Sequence, residues 1–222
     1  MIFHVITIFP EAFTSYLATS LLKRAQEKKI IRVRLVNLRT FTRDRHASVD
    51  DASYGGGPGM VIKVEPIYRA VRSLRMRRRG GTQKKTRVIL FSTRGKLFDE
   101  RMARRFARYD EIILIAGRYE GVDERVAAVI ADEEVSIGSY ILSGGELPAL
   151  ILIEAVSRHL HGFLGKQESL EEKKGSYPVY TRPEIFVTPE GKRLAVPKVL
   201  VSGNHTLVQA WREKHGKKGE KL

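Results

Sequence analysis

Ser136-Ile137-Gly138-Ser139-Tyr140-Ile141-Leu142-Ser143-Gly144-Gly145-Glu146-Leu147-Pro148 is the stretch on which the reading of this chain turns. Hydroxyls, apolar side chains and glycines are mixed directly ahead of a long apolar segment. Glycine lets the backbone pass close to other groups because it carries no Cβ. Gly144-Gly145 followed by Glu146 and Pro148 makes a helix entrance, with an acid at the positive end of the helix dipole and a proline in the first turn. The stretch reads as a ligand-binding loop feeding a core helix; the competing reading is an ordinary strand-to-helix turn.

Downstream, residues 146–160 are apolar on nearly every side, so this helix is buried either in its own domain or against a second subunit. Upstream, strands are expected at residues 3–9, 31–35, 87–92, 112–116 and 135–137. Helices are expected at 11–27, with Phe13, Leu17 and Leu21 on one face, and at 65–79, 98–109 and 123–130. The run Ile112-Ile113-Leu114-Ile115-Ala116 is continuously apolar, as in a strand covered on both faces. Alternating strands and helices imply an α/β fold with a mostly parallel sheet, whose ligand loops lie at the carboxyl ends of the strands. The loops after Phe91, Ala116 and Ile137 should therefore meet. Residues 40–60 form a long polar loop ending in Tyr54-Gly55-Gly56-Gly57-Pro58-Gly59-Met60, and loops of that length are usually functional or disordered. Composition turns polar after Phe163, which divides the chain into a domain at 1–163, a linker at 164–176 and a small tail domain at 177–222. That tail should hold a β-like stretch at 196–201 and a helix at 204–214.

With 222 residues the chain is long enough to bury a real core. It has no cysteine, which excludes disulfides and thiolate zinc sites. No apolar run reaches membrane-spanning length, and residues 1–13 read as a strand and turn, not a signal peptide, so a soluble cytoplasmic protein is expected. The net charge is +15, unevenly placed: residues 66–98 hold eleven bases and no acid, leaving 29 bases against 25 acids elsewhere. Such a segment suits a phosphate backbone, against the alternative of a solvated basic helix face. No P-loop, dinucleotide fingerprint, metal-spaced histidine set or nucleophile elbow is present.

Four separated segments remain: Val49-Asp50-Asp51 with Tyr54 to Met60; Gly117-Arg118-Tyr119-Glu120-Gly121-Val122-Asp123-Glu124-Arg125; the opening stretch; and Tyr180-Thr181-Arg182-Pro183-Glu184 followed by Val201-Ser202-Gly203-Asn204-His205. In this order they resemble the bacterial tRNA (guanine-N1)-methyltransferases, the TrmD family of the SPOUT superfamily, from Met1 to about Trp211. The resemblance implies a trefoil knot toward the carboxyl end of the sheet and a small, mainly helical C-terminal domain. It also implies a homodimer with shared active sites, S-adenosylmethionine as cofactor, a requirement for a divalent ion, usually magnesium, and tRNA as partner, with neither DNA nor membrane.

By that resemblance Leu90, Phe91, Ser92, Gly117, Tyr119, Glu120, Ile137, Gly138, Ser139, Tyr140, Ile141, Leu142, Gly144, Gly145 and Pro148 surround the cofactor. Asp50, Tyr54, Gly59 and Met60 approach the target base, guanosine 37 of the tRNA. Arg158 faces the guanine O6, with a helix-capping arginine as its alternative role. No metal ligands are assigned. Two positions depart from the family pattern. Ser139 stands where the family usually has aspartate, and the aspartate that serves as general base falls on Lys173 in a shortened linker; Glu172 or Glu171 could substitute if the linker re-registers, and otherwise catalysis is impaired. A non-catalytic RNA-binding protein, or a SPOUT methyltransferase acting on another nucleotide, are the competing expectations.

Overall fold

The central apolar run is the middle strand of a five-stranded parallel sheet. The computed structural model of the chain describes residues 1–76, 84–164 and 177–216. In chain order the first unit, Met1–Leu164, contains β1 (Ile2–Thr7), α1 (Thr14–Leu17), α2 (Ser20–Glu27), β2 (Arg32–Asn37), β3 (Asp50–Asp51), β4 (Val61–Ile62) and α3 (Val64–Met76). It continues with β5 (Thr86–Leu97), α4 (Glu100–Phe106), β6 (Glu111–Ile115), β7 (Glu133–Ser136) and α5 (Glu146–Ser157). The sheet order is β2-β1-β6-β5-β7, with every neighbouring pair parallel.

Side chains alternate across a strand, so a strand buried on both faces must be apolar throughout. In β6, Ile112 and Leu114 enter one core with Phe3, Val5, Phe106 and Leu152. Ile113 and Ile115 enter the other with Ile6, Ile67, Val71 and Leu90. All four are at most 1% exposed. Truncating such a side chain to alanine typically costs about 2–5 kcal/mol.

Several boundaries differ from the sequence reading, each for a local reason. The helix expected over 11–27 is broken into a 3-10 turn at Pro10–Phe13, α1 and α2, with Ser20 at φ 45° marking the break. Leu22 and Ala25 are buried there, whereas Leu21 packs only at the edge of the core. The helix expected over 123–130 is a π-helical turn, Val126–Ile130. The long loop at 40–60 contains β3, whose two residues pair antiparallel with β4. Of the helix expected over 65–79, residues 64–76 are observed as α3; Arg77, Arg78 and Arg79 lie outside the described residues.

Strand β5 runs past Ser92 to Leu97, and both Phe91 and Lys96 pair with Val135, so the residues between them bulge out of the sheet. Gly95 permits this: a Cβ there would lie 2.4 Å from the Val135 backbone nitrogen.

The second unit is described from residue 177 to 216. It has an antiparallel hairpin, β8 (Ile185–Val187) with β9 (Arg193–Ala195), then α6 (Lys198–Val201) and α7 (His205–His215). The sequence reading missed the hairpin, although Pro189-Glu190-Gly191 is a turn signal with Gly191 at φ 84°. It also took 196–201 for a strand. Pro197 instead starts a helical turn, and a short apolar run cannot be assigned by periodicity alone.

His4, in the middle of β1, is 2% exposed; among the described residues neither ring nitrogen has a hydrogen-bond partner, and Nε2 lies 3.6 Å from Glu111 Oε2. Burial lowers its pKa, opposed by Glu111 and reinforced by Arg34 and Lys84. His159 is lowered for the same first reason. A histidine held neutral in the fold takes up its proton more readily once unfolded, so the unfolded chain binds more protons below about pH 6.5 and stability falls as pH drops through that window. Urea unfolding from pH 7.5 to 5.5 should show a declining free energy, and His4→Gln should flatten the slope. An unchanged slope would assign the pH dependence elsewhere.

Candidate cofactor cleft and the glycine-rich loop

The opening stretch is fastened at its glycine pair. The Gly145 amide donates to the Gly117 carbonyl at 2.8 Å, and Arg118 bridges to Gly144 in antiparallel register. A Cβ on Gly145 would sit 2.6 Å from Ala116 Cα, and one on Gly144 would sit 2.4 Å from Arg118 Nε. Only glycine allows backbone to lie on backbone here.

Glu146 then opens α5 and is 3% exposed. Its carboxylate accepts from the Thr7 hydroxyl at 2.8 Å and from Arg118 Nε at 2.9 Å. Arg118 in turn lies over the Phe9 ring, 4.8 Å from its centroid. The ends of β1 and β6 and the start of α5 are thereby joined through one carboxylate. Its position in the first turn also places negative charge at the positive end of the helix.

The consequence is a cleft of about 630 Å³ at the carboxyl ends of β5, β6 and β7, in the size range of small-molecule sites. Leu90, Phe91, Ser92, Gly117, Tyr119, Glu120, Ile137, Gly138, Tyr140, Ile141, Leu142, Gly144, Gly145 and Pro148 all line it. Ser139 does not. The sequence reading missed Arg94, Glu124 and Glu134, which also line the cleft. Arg94 is carried there by the bulge in β5, which strand periodicity does not reveal. One oxygen of Glu134, Oε2, is buried without a hydrogen-bond partner among the described residues.

The glycine-rich loop before β4 meets the cleft at Glu120. The Glu120 amide donates to the Met60 carbonyl at 3.0 Å. A Cβ on Gly59 would lie 2.6 Å from the Glu120 side chain. Asp50, in β3, pairs with Ile62 of β4, while Tyr54 is fully exposed on the loop. Arg158 caps the other end of α5. It is ten residues beyond Pro148, about 15 Å along the helix axis, and does not line the cleft. Glu172, Glu171 and Lys173 lie outside the described residues. No group of three or more His, Asp or Glu residues is gathered as a metal site among the described residues.

The basic segment is less exposed electrostatically than its sequence implies. Arg75 pairs with Asp132 at 3.7 Å, Lys84 with Glu111 at 2.9 Å, Arg87 with Glu133 at 2.6 Å and Arg94 with Glu124 at 2.5 Å. Every one of these acids lies outside residues 66–98, so sequence-local counting overstates the field. Burial pushes the Glu133 carboxyl up, but hydrogen bonds from Arg105 and Arg87 outweigh it and hold the pKa below the usual range.

A mostly parallel sheet flanked by helices, with glycine-tethered loops around a strand-end cleft, defines an α/β protein of the open-sheet class. The particular family follows from comparison. The family described as tRNA (Guanine-1)-methyltransferase TrmD matches residues 1–221, and the chain belongs to it. Among its relatives are three proteins named tRNA (guanine-N(1)-)-methyltransferase. That of Moorella thermoacetica is 47% identical over 213 residues, covering 94% of this chain and 82% of the relative. That of Dictyoglomus turgidum is 45% identical over 219 residues, covering 96% and 84%. That of Clostridioides difficile is 44% identical over 217 residues, covering 96% and 90%. None of the described helices is long and apolar enough to cross a membrane.

The Gly145 contact makes a direct prediction. Gly145→Ala should lower the unfolding free energy by about 1–3 kcal/mol through overpacking, measured by urea denaturation. An unchanged midpoint would mean that the loop does not rest on Ala116 as described.

Proposed function

We propose that this chain is a methyltransferase that uses S-adenosylmethionine to methylate N1 of a guanine in tRNA, at guanosine 37. The observation that carries the reading is the convergence of the bulge of β5 and the loops after β6 and β7 on one cleft, with the Gly59–Met60 turn held against Glu120 at its side. The residues present fit the cofactor. The glycine pair keeps side chains away from the tether, the backbone of residues 137–142 is available to an adenosine, and Glu120 and Glu134 are carboxylates suited to a cationic ligand.

S-adenosylmethionine, when bound there, supplies the electrophilic methyl. N1 of guanine carries a proton at neutral pH, so methyl transfer to it, which would break the sulfonium S–CH3 bond and leave S-adenosylhomocysteine, would need a protein base to take that proton and a positive donor for the negative charge developing toward O6. We assign the base to Glu172, in the linker segment, and the charge on O6 to Arg158. Asp50, Tyr54, Gly59 and Met60 would bound the base, which must leave its stack to be reached. Magnesium remains part of the proposal through the family resemblance alone.

Arg158 sits too far along α5 to serve the cleft of its own chain. The same helix exposes Leu147 (58%) and Ile151 (44%) beside Tyr16, whose hydroxyl bonds to Glu154. An apolar stripe at i, i+4 spacing on an otherwise buried helix supports a homodimer in which Arg158 serves the partner's cleft. We also propose the trefoil knot. The connection from β6 to β7 passes β5, and the chain then returns to Ala116 and Gly117, which supports a threaded segment. The second unit is proposed to contact the tRNA.

Incubation with labelled S-adenosylmethionine and a tRNA transcript carrying guanosines at 36 and 37 should give N1-methylguanosine, abolished when guanosine 37 is replaced. Label at another nucleotide would move the substrate assignment, and tRNA binding without label would make the chain a non-catalytic RNA-binding protein. Arg158→Ala and Glu172→Gln should each lower single-turnover methylation at least tenfold. Mixing Arg158→Ala with a second variant disabled in the cleft should restore part of the activity, and absence of any restoration would contradict the shared site.

A further inference from the structure

Two opposite charges in the cleft are not accounted for by the reading above, which leaves Arg94 out and uses Glu134 only as a carboxylate suited to a cation. Arg94 stands on the bulge of β5 and Glu134 on β7, and both line the cleft. They are kept close by the backbone: Leu90 registers with Glu134, and the missing Cβ of Gly95 lets the residue after Arg94 lie directly on Val135. The charge of Arg94 is felt by the Glu134 carboxylate as well as by that of Glu124.

Neither charge has a satisfactory partner. Among the described residues Glu134 Oε2 is buried without a hydrogen bond, a costly state for a carboxylate that a ligand donor would relieve. Arg94 is paired with Glu124, but both side chains are 66% exposed. Water screens such a pair, so its guanidinium can exchange partners at little cost. By contrast Arg118, also in the cleft lining, is committed to the buried Glu146.

An anion-seeking guanidinium beside a cation-seeking carboxylate matches an α-amino acid zwitterion. We propose that Arg94 and Glu134 together clamp the amino-acid half of the methyl donor, Arg94 taking its α-carboxylate and Glu134 its ammonium. This rests on the assignment of the cleft to S-adenosylmethionine. On binding, Arg94 leaves Glu124 for the ligand, and the orphaned Glu134 oxygen gains its missing donor.

Calorimetric titration of the whole chain with S-adenosylmethionine and with 5′-methylthioadenosine, which lacks both charges of the amino acid, tests the clamp. Arg94→Gln and Glu134→Gln should each weaken S-adenosylmethionine by about 10- to 100-fold, the loss of one charge-assisted hydrogen bond. Methylthioadenosine should stay within about twofold, which also reports that the variant is folded. Glu124→Gln should tighten S-adenosylmethionine, because it frees Arg94 from its pairing. Equal weakening of both ligands, no weakening of either, or a Glu124→Gln loss that mimics Arg94→Gln would overturn the clamp while leaving the cleft assignment standing. Failure of the unaltered chain to bind either ligand would overturn the assignment and the clamp with it.

Discussion

One buried carboxylate holds the functional end of this molecule together. Glu146 accepts from Thr7 at the end of β1 and from Arg118 after β6 while opening α5, so the two central strands and the helix cannot move apart without stranding a charge. An ionised group at 3% exposure is tolerated only because both oxygens are satisfied and the helix dipole favours it. The glycine pair just before it supplies the matching steric condition, since any side chain there would collide with Ala116 or Arg118. Charge and shape together set the position of the opening stretch, and the cleft is what remains between it and the bulge of β5.

The elements that sequence revealed are those in which one physical cause dominates. The all-apolar, isoleucine-rich run of β6 matches a strand buried on both faces, and the glycine-acid-proline sequence ahead of α5 matches a helix entrance. The convergence of three loops follows from parallel topology, and fourteen of the fifteen residues assigned to the cofactor line the cleft. What sequence hid depends on contacts between distant segments. The bulge that delivers Arg94 exists because Phe91 and Lys96 pair with the same Val135, a register choice invisible to periodicity. The hairpin of the second unit carried a turn signal, but its strands of three residues are too short to alternate recognisably.

Charge is the clearest case of sequence and fold disagreeing. A segment with eleven bases and no acid looks like an uncompensated cation, yet Arg75, Lys84, Arg87 and Arg94 find acids from elsewhere in the chain. Glu133 alone draws in Arg87 and Arg105, binding β5 and α4 to β7. Part of what resembled a nucleic-acid surface is therefore offset by acids from elsewhere in the chain. The same redistribution puts carboxylates and a guanidinium around the cleft, where their chemistry suits a charged small molecule.

The measurement that bears most directly on this account is a crystal structure of the chain grown with S-adenosylhomocysteine. The account predicts the adenosine between Phe91, Gly117 and the backbone of residues 137–142, with the glycine pair still resting on Ala116. Density for the ligand away from these loops, or a bound state in which Glu146 has released Thr7 and Arg118, would contradict it.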